Sequence, residues 1–301
     1  MEKFRGFSDP ATGIHPFLPS WSNDSKSPNI KKITNALIAI ATWPVRLFLI
    51  LISLTLLPFK LLRPYGCRLL LAAVGVWKIQ FKNWKYAIEI KKSKDAVVFC
   101  NLTSFAEILM LEYTISPIFA IVHSNGTLSI LKFMDMLLFT IRHEIKTNKG
   151  TLANLANAAD YVSSKHIGPM VVFAEMQKSN GMVILQWPKE LATNFNFARG
   201  GGCYAITCSY ENPKLHFDKS TTLPHTVGNI YKHLLHIAFV PKVFMKLEII
   251  PKECVAEVMK ANSPVNELRK IMAGTLGKDG TAVSIDASKL AEFAKYYDKH
   301  A

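Results

Sequence analysis

The sequence has 301 residues, of which 50% are hydrophobic and 19% are charged, so it can form a sizeable core and is not a disordered chain. The formal net charge of +14 is unevenly distributed, because residues 1–94 carry 11 Lys and 4 Arg against 4 acidic residues. A nucleic-acid-binding protein would carry its basic excess on the folded domain, with stacking aromatics or a known module, and the sequence has neither. The charge instead favours an anionic lipid surface as partner.

A hydrophobic segment with two arms follows an N-terminal region over residues 1–34. The first arm, residues 35–57, is long enough to cross a bilayer but is interrupted by Pro44 and Arg46, and the second covers 67–77. Lysines lie before the first arm and after the second, which predicts that both ends face the cytosol. We therefore expect a membrane-anchoring hairpin with its basic flank over 35–94. A buried helix pair in a soluble protein is the alternative.

Residues 95–301 alternate between short β-rich runs and helical patterns, which predicts one α/β domain. Its sheet should be mixed, mostly parallel and flanked by helices. The predicted strands cover 96–100, 117–123, 169–175, 203–210 and 244–250. The predicted helices cover 104–114, 128–141, 151–164 and 229–239, with one more beginning at Ser263-Pro264 and a last one over 287–300.

Five cysteines give an odd count, and no pair has the two-residue spacing of a common zinc or redox motif. They are predicted to be reduced and mostly buried thiols, because a free Cys usually behaves as a small core residue. No metal site is expected.

Three short segments have the form of motifs. FSDPATGIHPFLP covers residues 7–19; the strand AVVFC leads into Asn101-Leu102-Thr103-Ser104-Phe105-Ala106-Glu107; and a later strand ends in Phe173-Ala174-Glu175-Met176-Gln177-Lys178-Ser179. The first resembles the opening of fungal lysophosphatidic acid acyltransferases of lipid droplets, and the others resemble the NHxSxxD and FPEGTRS blocks of glycerolipid acyltransferases. The chain is therefore similar to enzymes that acylate lysophosphatidic acid and related lysolipids from acyl-CoA, and the resemblance implies their glycerol-phosphate acyltransferase-like fold.

The two later blocks depart from the family pattern at decisive positions. Leu102 stands where the family has the His that takes the proton of the lysolipid hydroxyl, and leucine cannot act as a base. Glu107 replaces Asp, and Met176 replaces a glycine that lets the backbone approach the lysolipid phosphate. The resemblance implies catalytic-block roles for Asn101, Ser104 and Glu107, and phosphate or acyl-CoA binding by Glu175, Lys178, Ser179 and Lys146.

Other readings of these residues stay open. A general base typically contributes about 10² to 10⁴ in rate, so a slow enzyme can exist without the usual His, and His123 or His143 could replace it. Ser104 to Glu107 also forms a capping-box pattern, which explains Glu107 without catalysis. The simpler interpretation of Lys146 is an ordinary solvent-exposed side chain.

The leading prediction is a membrane-bound, acyl-CoA-dependent lysophospholipid acyltransferase of glycerolipid metabolism, without a further cofactor. Its expected place is the cytosolic face of the endoplasmic reticulum or a lipid droplet, and lysophosphatidic acid is the first substrate candidate. A catalytically inactive relative that binds lipid or serves as a scaffold is the main alternative, and a basic membrane-surface adaptor is a weaker one. The acyltransferase reading predicts that the two blocks lie side by side at neighbouring strand ends and line one cleft.

Overall fold

The computed structural model describes residues 2–18, 29–142, 151–165, 168–192, 202–211, 223–238, 242–258, 260–261, 263–277 and 280–300. A short 3₁₀ helix, Glu2–Phe7, begins this part of the chain.

The predicted hydrophobic arms form two helices that pack against each other, α1 (Asn29–Leu56) and α2 (Arg63–Ala73). α1 continues through Pro44, whereas α2 begins four residues before the predicted second arm, with a proline in its first turn. Much of the outer surface of α1 is apolar and exposed. No helix in the described part of the chain combines the length and the hydropathy needed to cross a membrane.

Eight strands form one sheet: β1 (Val76–Lys82), β2 (Val97–Cys100), β3 (Ile118–Val122), β4 (Leu128–Leu131), β5 (Thr151–Leu152), β6 (Met170–Phe173), β8 (Cys203–Glu211) and β9 (Val243–Ile250). Their order is β1-β9-β8-β2-β6-β3-β4-β5, and the four central strands, β8-β2-β6-β3, are all parallel. β1 is also parallel to β9, while β8–β9, β3–β4 and β4–β5 are antiparallel. Two short strands, β7 (Val183–Ile184) and β10 (Thr281–Ala282), pair separately.

Helices cover both faces of the sheet, which confirms the predicted α/β class. On one face, α2, α3 (Trp84–Lys92), α4 (Phe105–Thr114), α5 (Phe133–Arg142) and α7 (Ile230–Ala238) contribute to one apolar cluster with alternate residues of the central strands. On the other face, α6 (Leu155–Ser164), α8 (Lys252–Val258) and α9 (Pro264–Thr275) form a second. A last helix, α10 (Ser288–His300), packs with residues 4–18 in a third.

All five predicted strands are present with small shifts at their ends, but three predictions need correction. The helix expected over 151–164 is wrong at its start, because 151–152 is β5, which pairs with β4, and α6 begins only at Leu155. The helix expected over 128–141 is wrong at its start, because 128–131 is β4, which pairs with β3 across a turn around Gly126 (φ 77°). Asn125-Gly126 between two apolar runs was the hairpin signal that periodicity masked. The second arm is wrong at its end, because Trp77 belongs to β1 and so the sheet begins before residue 95.

Candidate functional site

The two motif blocks meet at the carboxyl ends of β2 and β6, which are parallel neighbours. The Leu102 N–H donates to Glu175 Oε2 at 2.9 Å, and the Ser179 N–H donates to the Leu102 carbonyl at 3.0 Å. Strand ends of an open α/β sheet are the usual position of a ligand site. The predicted side-by-side placement is therefore confirmed.

Glu175 ties the second block to two other segments through backbone hydrogen bonds. Its two oxygens accept from the N–H groups of Leu102 at 2.9 Å and Leu185 at 2.8 Å, and the side chain is fully buried. Burial raises the pKa of Glu175 to about 8, against the two backbone bonds and the charge of Arg269, which act in the opposite direction. At neutral pH much of this carboxyl is protonated.

Glu107 is the centre of a denser network at the start of α4. Oε2 accepts from the backbone N–H of Thr103 at 3.1 Å and of Ser104 at 2.6 Å, while Oε1 accepts from the Thr103 hydroxyl and from Tyr210 Oη at 2.7 Å. Ser104 Oγ accepts from the Ala106 N–H, so the predicted capping box is present. Burial raises the pKa of Glu107 to about 7, although these bonds lower it.

Asn101 fastens the first block to the neighbouring strand β8. Its Nδ2 donates to the Cys208 carbonyl at 3.0 Å, and its Oδ1 accepts from the Cys208 N–H at 2.8 Å. The amide side chain thus extends the β2–β8 ladder beyond the last paired residue, Cys100. It is fully buried, and these two bonds give it a structural role.

Lys178 and Ser179 point into the protein. Lys178 Nζ donates to the Thr140 carbonyl at 2.6 Å, and the side chain is only 2% exposed. Burial lowers the pKa of this amine to about 7, against the opposing charge of Glu107. Ser179 Oγ donates to the Val183 carbonyl at 3.0 Å and closes the turn that follows.

The expectation that the two blocks line a cleft is wrong for their acidic residues, since Glu107 and Glu175 are both 0% exposed. Leu102 is also fully buried and belongs to the apolar cluster beneath α4. A side chain of leucine can join that cluster, whereas an imidazole with a working lone pair would need a polar opening. Leu102 thus occupies the His position in a site whose acidic residues are closed to solvent.

An open cavity of about 440 Å³ lies at the carboxyl end of β3, where Val122, His123 and Ser124 line it. It reaches the second block at Met176 and Gln177, and Trp187 belongs to its wall. Met176 has a left-handed backbone (φ 59°), which glycine would adopt without strain. The Met176 side chain lines the cavity, where a glycine would leave that space open.

Of the two suggested replacement bases, the structure describes His123. His123 lies at the cavity, half-buried, with its Nε2 2.8 Å from Ser129 Oγ, and burial lowers its pKa. His143 and Lys146 lie outside the described residues, so their predicted roles stay predictions.

The structure brings one histidine to the first block that sequence reasoning missed. The backbone N–H of His225 donates to the Thr103 carbonyl at 3.4 Å, and the centroid of the His225 ring lies 4.5 Å from that of the His233 ring. Both rings are buried. Residue 225 is far from the block in sequence and belongs to no motif, so only the fold could reveal this proximity.

The N-terminal motif supports the second block directly. The Asn180 N–H donates to the Pro16 carbonyl at 2.9 Å, and its Nδ2 donates to the His15 carbonyl at 2.8 Å. Phe17 is fully buried, and its carbonyl accepts from Thr226 Oγ1. Residues 9–18 therefore act as a strap that fixes the loop after Ser179.

Comparisons with known proteins give few matches. No family model matches the sequence, and no curated protein does so. Among solved structures, the chain is similar to the crystal structure of the 1-acyl-sn-glycerophosphate (LPA) acyltransferase PlsC from Thermotoga maritima, with 14% identity and a TM-score of 0.32, covering 82% of this chain and 94% of that one. So loose an overlap assigns no function to this chain.

Proposed function

We propose that this protein is a membrane-associated acyltransferase that transfers the acyl group of an acyl-CoA to the hydroxyl of a lysophospholipid, with lysophosphatidic acid as the first candidate. The observation that carries the proposal is the contact between the two motif blocks. Leu102 and Glu175 are 73 positions apart, yet they share a hydrogen bond at the ends of adjacent parallel strands. That edge, at the carboxyl ends of the strands, is where open α/β sheets place their ligand sites.

The N-terminal motif gives independent support. It is unusual enough to be specific, and its residues hold the loop of the second block through hydrogen bonds to Asn180. All three motif-like segments thus converge on one edge of the sheet. The three segments that resemble the family in sequence are therefore also close together in the fold.

We also propose that α1 lies in the surface of a membrane, at the cytosolic face of the endoplasmic reticulum or on a lipid droplet. The support is an unusual number of exposed large apolar side chains beside basic residues, Lys60 among them. On α1 and the turn after it, these are Leu37, Ile38, Ile40, Trp43, Val45, Leu47, Phe48, Leu51, Leu54, Phe59, Leu61 and Leu62. An anionic lipid surface would cover the apolar side chains and attract the basic ones.

A catalytically inactive lipid-binding or scaffold protein is the second candidate function, and a specific observation favours it. Leu102 provides no base, and four donors already occupy the carboxylate oxygens of Glu107. A carboxylate has about four lone-pair sites, so Glu107 has no remaining site for a catalytic imidazole.

An acyl-transfer assay separates the two candidates. Purified protein in phospholipid vesicles is given acyl-CoA and lysophosphatidic acid, and the release of free CoA thiol and the formation of diacyl product are measured together. The acyltransferase proposal expects both products in equal amounts. Saturable acyl-CoA binding without turnover would instead establish the inactive lipid-binding candidate.

Restoring the imidazole sharpens this assay. Leu102→His alone should change the rate by less than about 10-fold, because the carboxylate that would orient the ring is already saturated. Leu102→His combined with Tyr210→Phe frees one lone pair on Glu107 Oε1 and should increase the rate further. Tyr210→Phe alone is the matched control. An equal rate in the single and double variants would show that Glu107 does not orient a base.

Membrane association is tested by vesicle flotation. Replacing Leu47, Phe48, Leu51 and Leu54 with Gln should reduce binding by more than 10²-fold, since each buried apolar side chain contributes about 1.5–3 kcal/mol. The control replaces Tyr161 and Ile271 with Gln as well. These two side chains are exposed on α6 and α9, which pack on the opposite face of the sheet. Unchanged flotation of the α1 variant would overturn this part of the proposal.

A further inference from the structure

The helix α3 carries its exposed residues on one side. They are Trp84, Lys85, Ile88, Lys91 and Lys92, and at about 3.6 residues per turn they fall within about 120° of the helix circumference. Around this arc Trp84 and Ile88 are neighbours, with lysines on both flanks. These five residues form the α3 face. The opposite side of the helix packs into the apolar cluster beneath it.

The two apolar side chains of the α3 face are large and adjacent. Trp84 is 41% exposed and Ile88 is 46% exposed. The Phe81 ring packs against Trp84, with the ring centroids 4.4 Å apart, so the indole is held at the surface. An indole prefers the boundary between apolar and polar surroundings, such as the head-group region of a membrane.

The lysines of the α3 face keep their charge available. Glu89 is the one acidic residue of α3, and it pairs with Lys252. Among the described residues, Lys85, Lys91 and Lys92 have no carboxylate within 4 Å. A lysine can extend its amine to a phosphate while its aliphatic stem covers apolar surface. The face therefore fits a partner that is apolar in its interior and negative at its surface.

The α3 face adjoins the turn between α1 and α2. Arg63 Nη1 lies 3.4 Å from Glu112 Oε1 on α4. Burial raises the pKa of Glu112, while the nearby charges of Arg63, Lys60 and Lys91 lower it. Such charges act on a carboxyl group only at short range. Lys60 of the turn and Lys91 of α3 therefore lie near the same carboxyl group.

The turn adds apolar side chains to this surface. Phe59, Leu61 and Leu62 are all exposed, and Leu61 is 85% exposed. The helices α2 and α3 also pack into the same apolar cluster, on one face of the sheet. The exposed apolar surface that begins on α1 is thus followed by the apolar and basic residues of α3.

We propose that the α3 face is a second membrane-binding surface, whose lysines bind the anionic head groups of a phospholipid bilayer. This inference rests on the proposed membrane association of α1 and adds an element of the α/β domain and a requirement for lipid charge. α1 binds through apolar area, which an uncharged lipid surface also accepts. The α3 face binds through charge as well, so it selects membranes that contain anionic lipids.

A second contact also fixes the orientation of the domain. A single helix in the membrane surface leaves the domain free to rotate about the helix axis. Contact through α3 removes that freedom and turns the sheet face that carries α2, α3 and α4 towards the lipid. The first motif block, at the start of α4, is then held on the lipid side.

The test compares binding of the full chain to two kinds of vesicle, phosphatidylcholine alone and phosphatidylcholine mixed with phosphatidylserine. Replacing Lys85, Lys91 and Lys92 together with Gln should weaken binding to the mixed vesicles about 10²-fold, because each basic residue contributes about fivefold at an anionic surface. Binding to phosphatidylcholine alone should be unchanged. High salt should remove the preference of the wild-type protein for the mixed vesicles.

The matched control removes the same charge elsewhere. It replaces three exposed lysines of α10 with Gln and should leave the affinity for the mixed vesicles within about threefold of wild type, since these amines lie outside the proposed surface. The three are Lys289, Lys295 and Lys299.

A fluorophore on the α3 face reports contact with lipid directly. Ile88→Cys in a Cys254→Ser background provides one exposed thiol for an environment-sensitive dye, because the other four cysteines are buried. The emission should shift to the blue on mixed vesicles. The same dye attached through Tyr161→Cys, on α6, should show no shift.

The contradicting outcomes separate this inference from the proposed function. If the triple Gln variant binds the mixed vesicles as tightly as wild type, the inference is wrong and the α3 face has another partner, such as an acidic protein surface. The membrane proposal still stands in that case if the α1 variant loses flotation. If the wild-type protein binds neither kind of vesicle, the membrane proposal and this inference fail together.

Discussion

The two motif blocks hold their acidic residues in different ways. Glu107 takes three of its four hydrogen bonds from the residues just before its own helix, and Tyr210 adds the fourth from β8. Glu175 takes none from its own block, since its donors are Leu102 and Leu185. One carboxyl therefore organises a helix start, and the other joins separate segments. The difference explains why two equally buried glutamates are expected to respond differently to substitution.

Removing Glu107 should produce the largest effect on stability. Glu107→Ala leaves the N–H groups of Thr103 and Ser104 and the Tyr210 hydroxyl without their acceptor, at about 1–3 kcal/mol for each buried group. We expect a loss of about 3–5 kcal/mol in urea unfolding, with Glu107→Gln retaining most of the stability. An Ala variant as stable as the Gln variant would show that the N–H groups at the start of α4 find other acceptors.

Removing Glu175 should destabilise the fold less than removing Glu107, but it should affect two separate segments. Glu175→Ala leaves two buried N–H groups without an acceptor, so a loss of about 2–4 kcal/mol is expected. Hydrogen exchange should accelerate at the amides of Leu102 and Leu185 together. Glu257→Ala, at an exposed glutamate, is the control. Faster exchange confined to Leu102 would mean that Glu175 does not join the segments.

The pH dependence of stability sharpens the comparison. The folded-state pKa values of Glu107 and Glu175 are raised by burial to about 7 and about 8, above the usual 4.5. Folding therefore takes up protons, and the stability that is present below pH 4.5 is lost as the pH rises to about 8. Lys178 acts in the opposite sense, because its lowered pKa makes stability increase as the pH rises from about 7 towards 10.5.

Measured urea midpoints should therefore pass through a minimum between about pH 7 and pH 8. Glu107→Gln and Glu175→Gln should each flatten the fall on the acid side, and Lys178→Met should flatten the rise on the alkaline side. A profile for the double Gln variant that still falls from pH 4.5 to 8 would assign the dependence to other groups.

The same contrast shows what the sequence could and could not predict. The spacing of Ser104 and Glu107 is a local pattern, so the capping box was visible in the sequence, as were the five strands with their β-rich runs. The bonds of Glu175, the burial of Lys178 against Thr140 and the approach of His225 to Thr103 depend on distant segments. No local spacing encodes them. The cleft prediction failed for the same reason, because burial is decided by what packs above the strand ends.

Met176 provides the smallest and most specific test of the second block. Its left-handed backbone costs about 1–2 kcal/mol for a residue with a Cβ, and its side chain is partly buried against the second apolar cluster. Met176→Ala keeps the backbone strain and loses the packing, whereas Met176→Gly loses the packing but relieves the strain. We expect the Gly variant to be more stable than the Ala variant by about 1 kcal/mol, measured by urea unfolding. An Ala variant equal to the Gly variant would show that the loop relaxes out of the left-handed region. That result would in turn mean that the fold does not require the left-handed backbone at position 176.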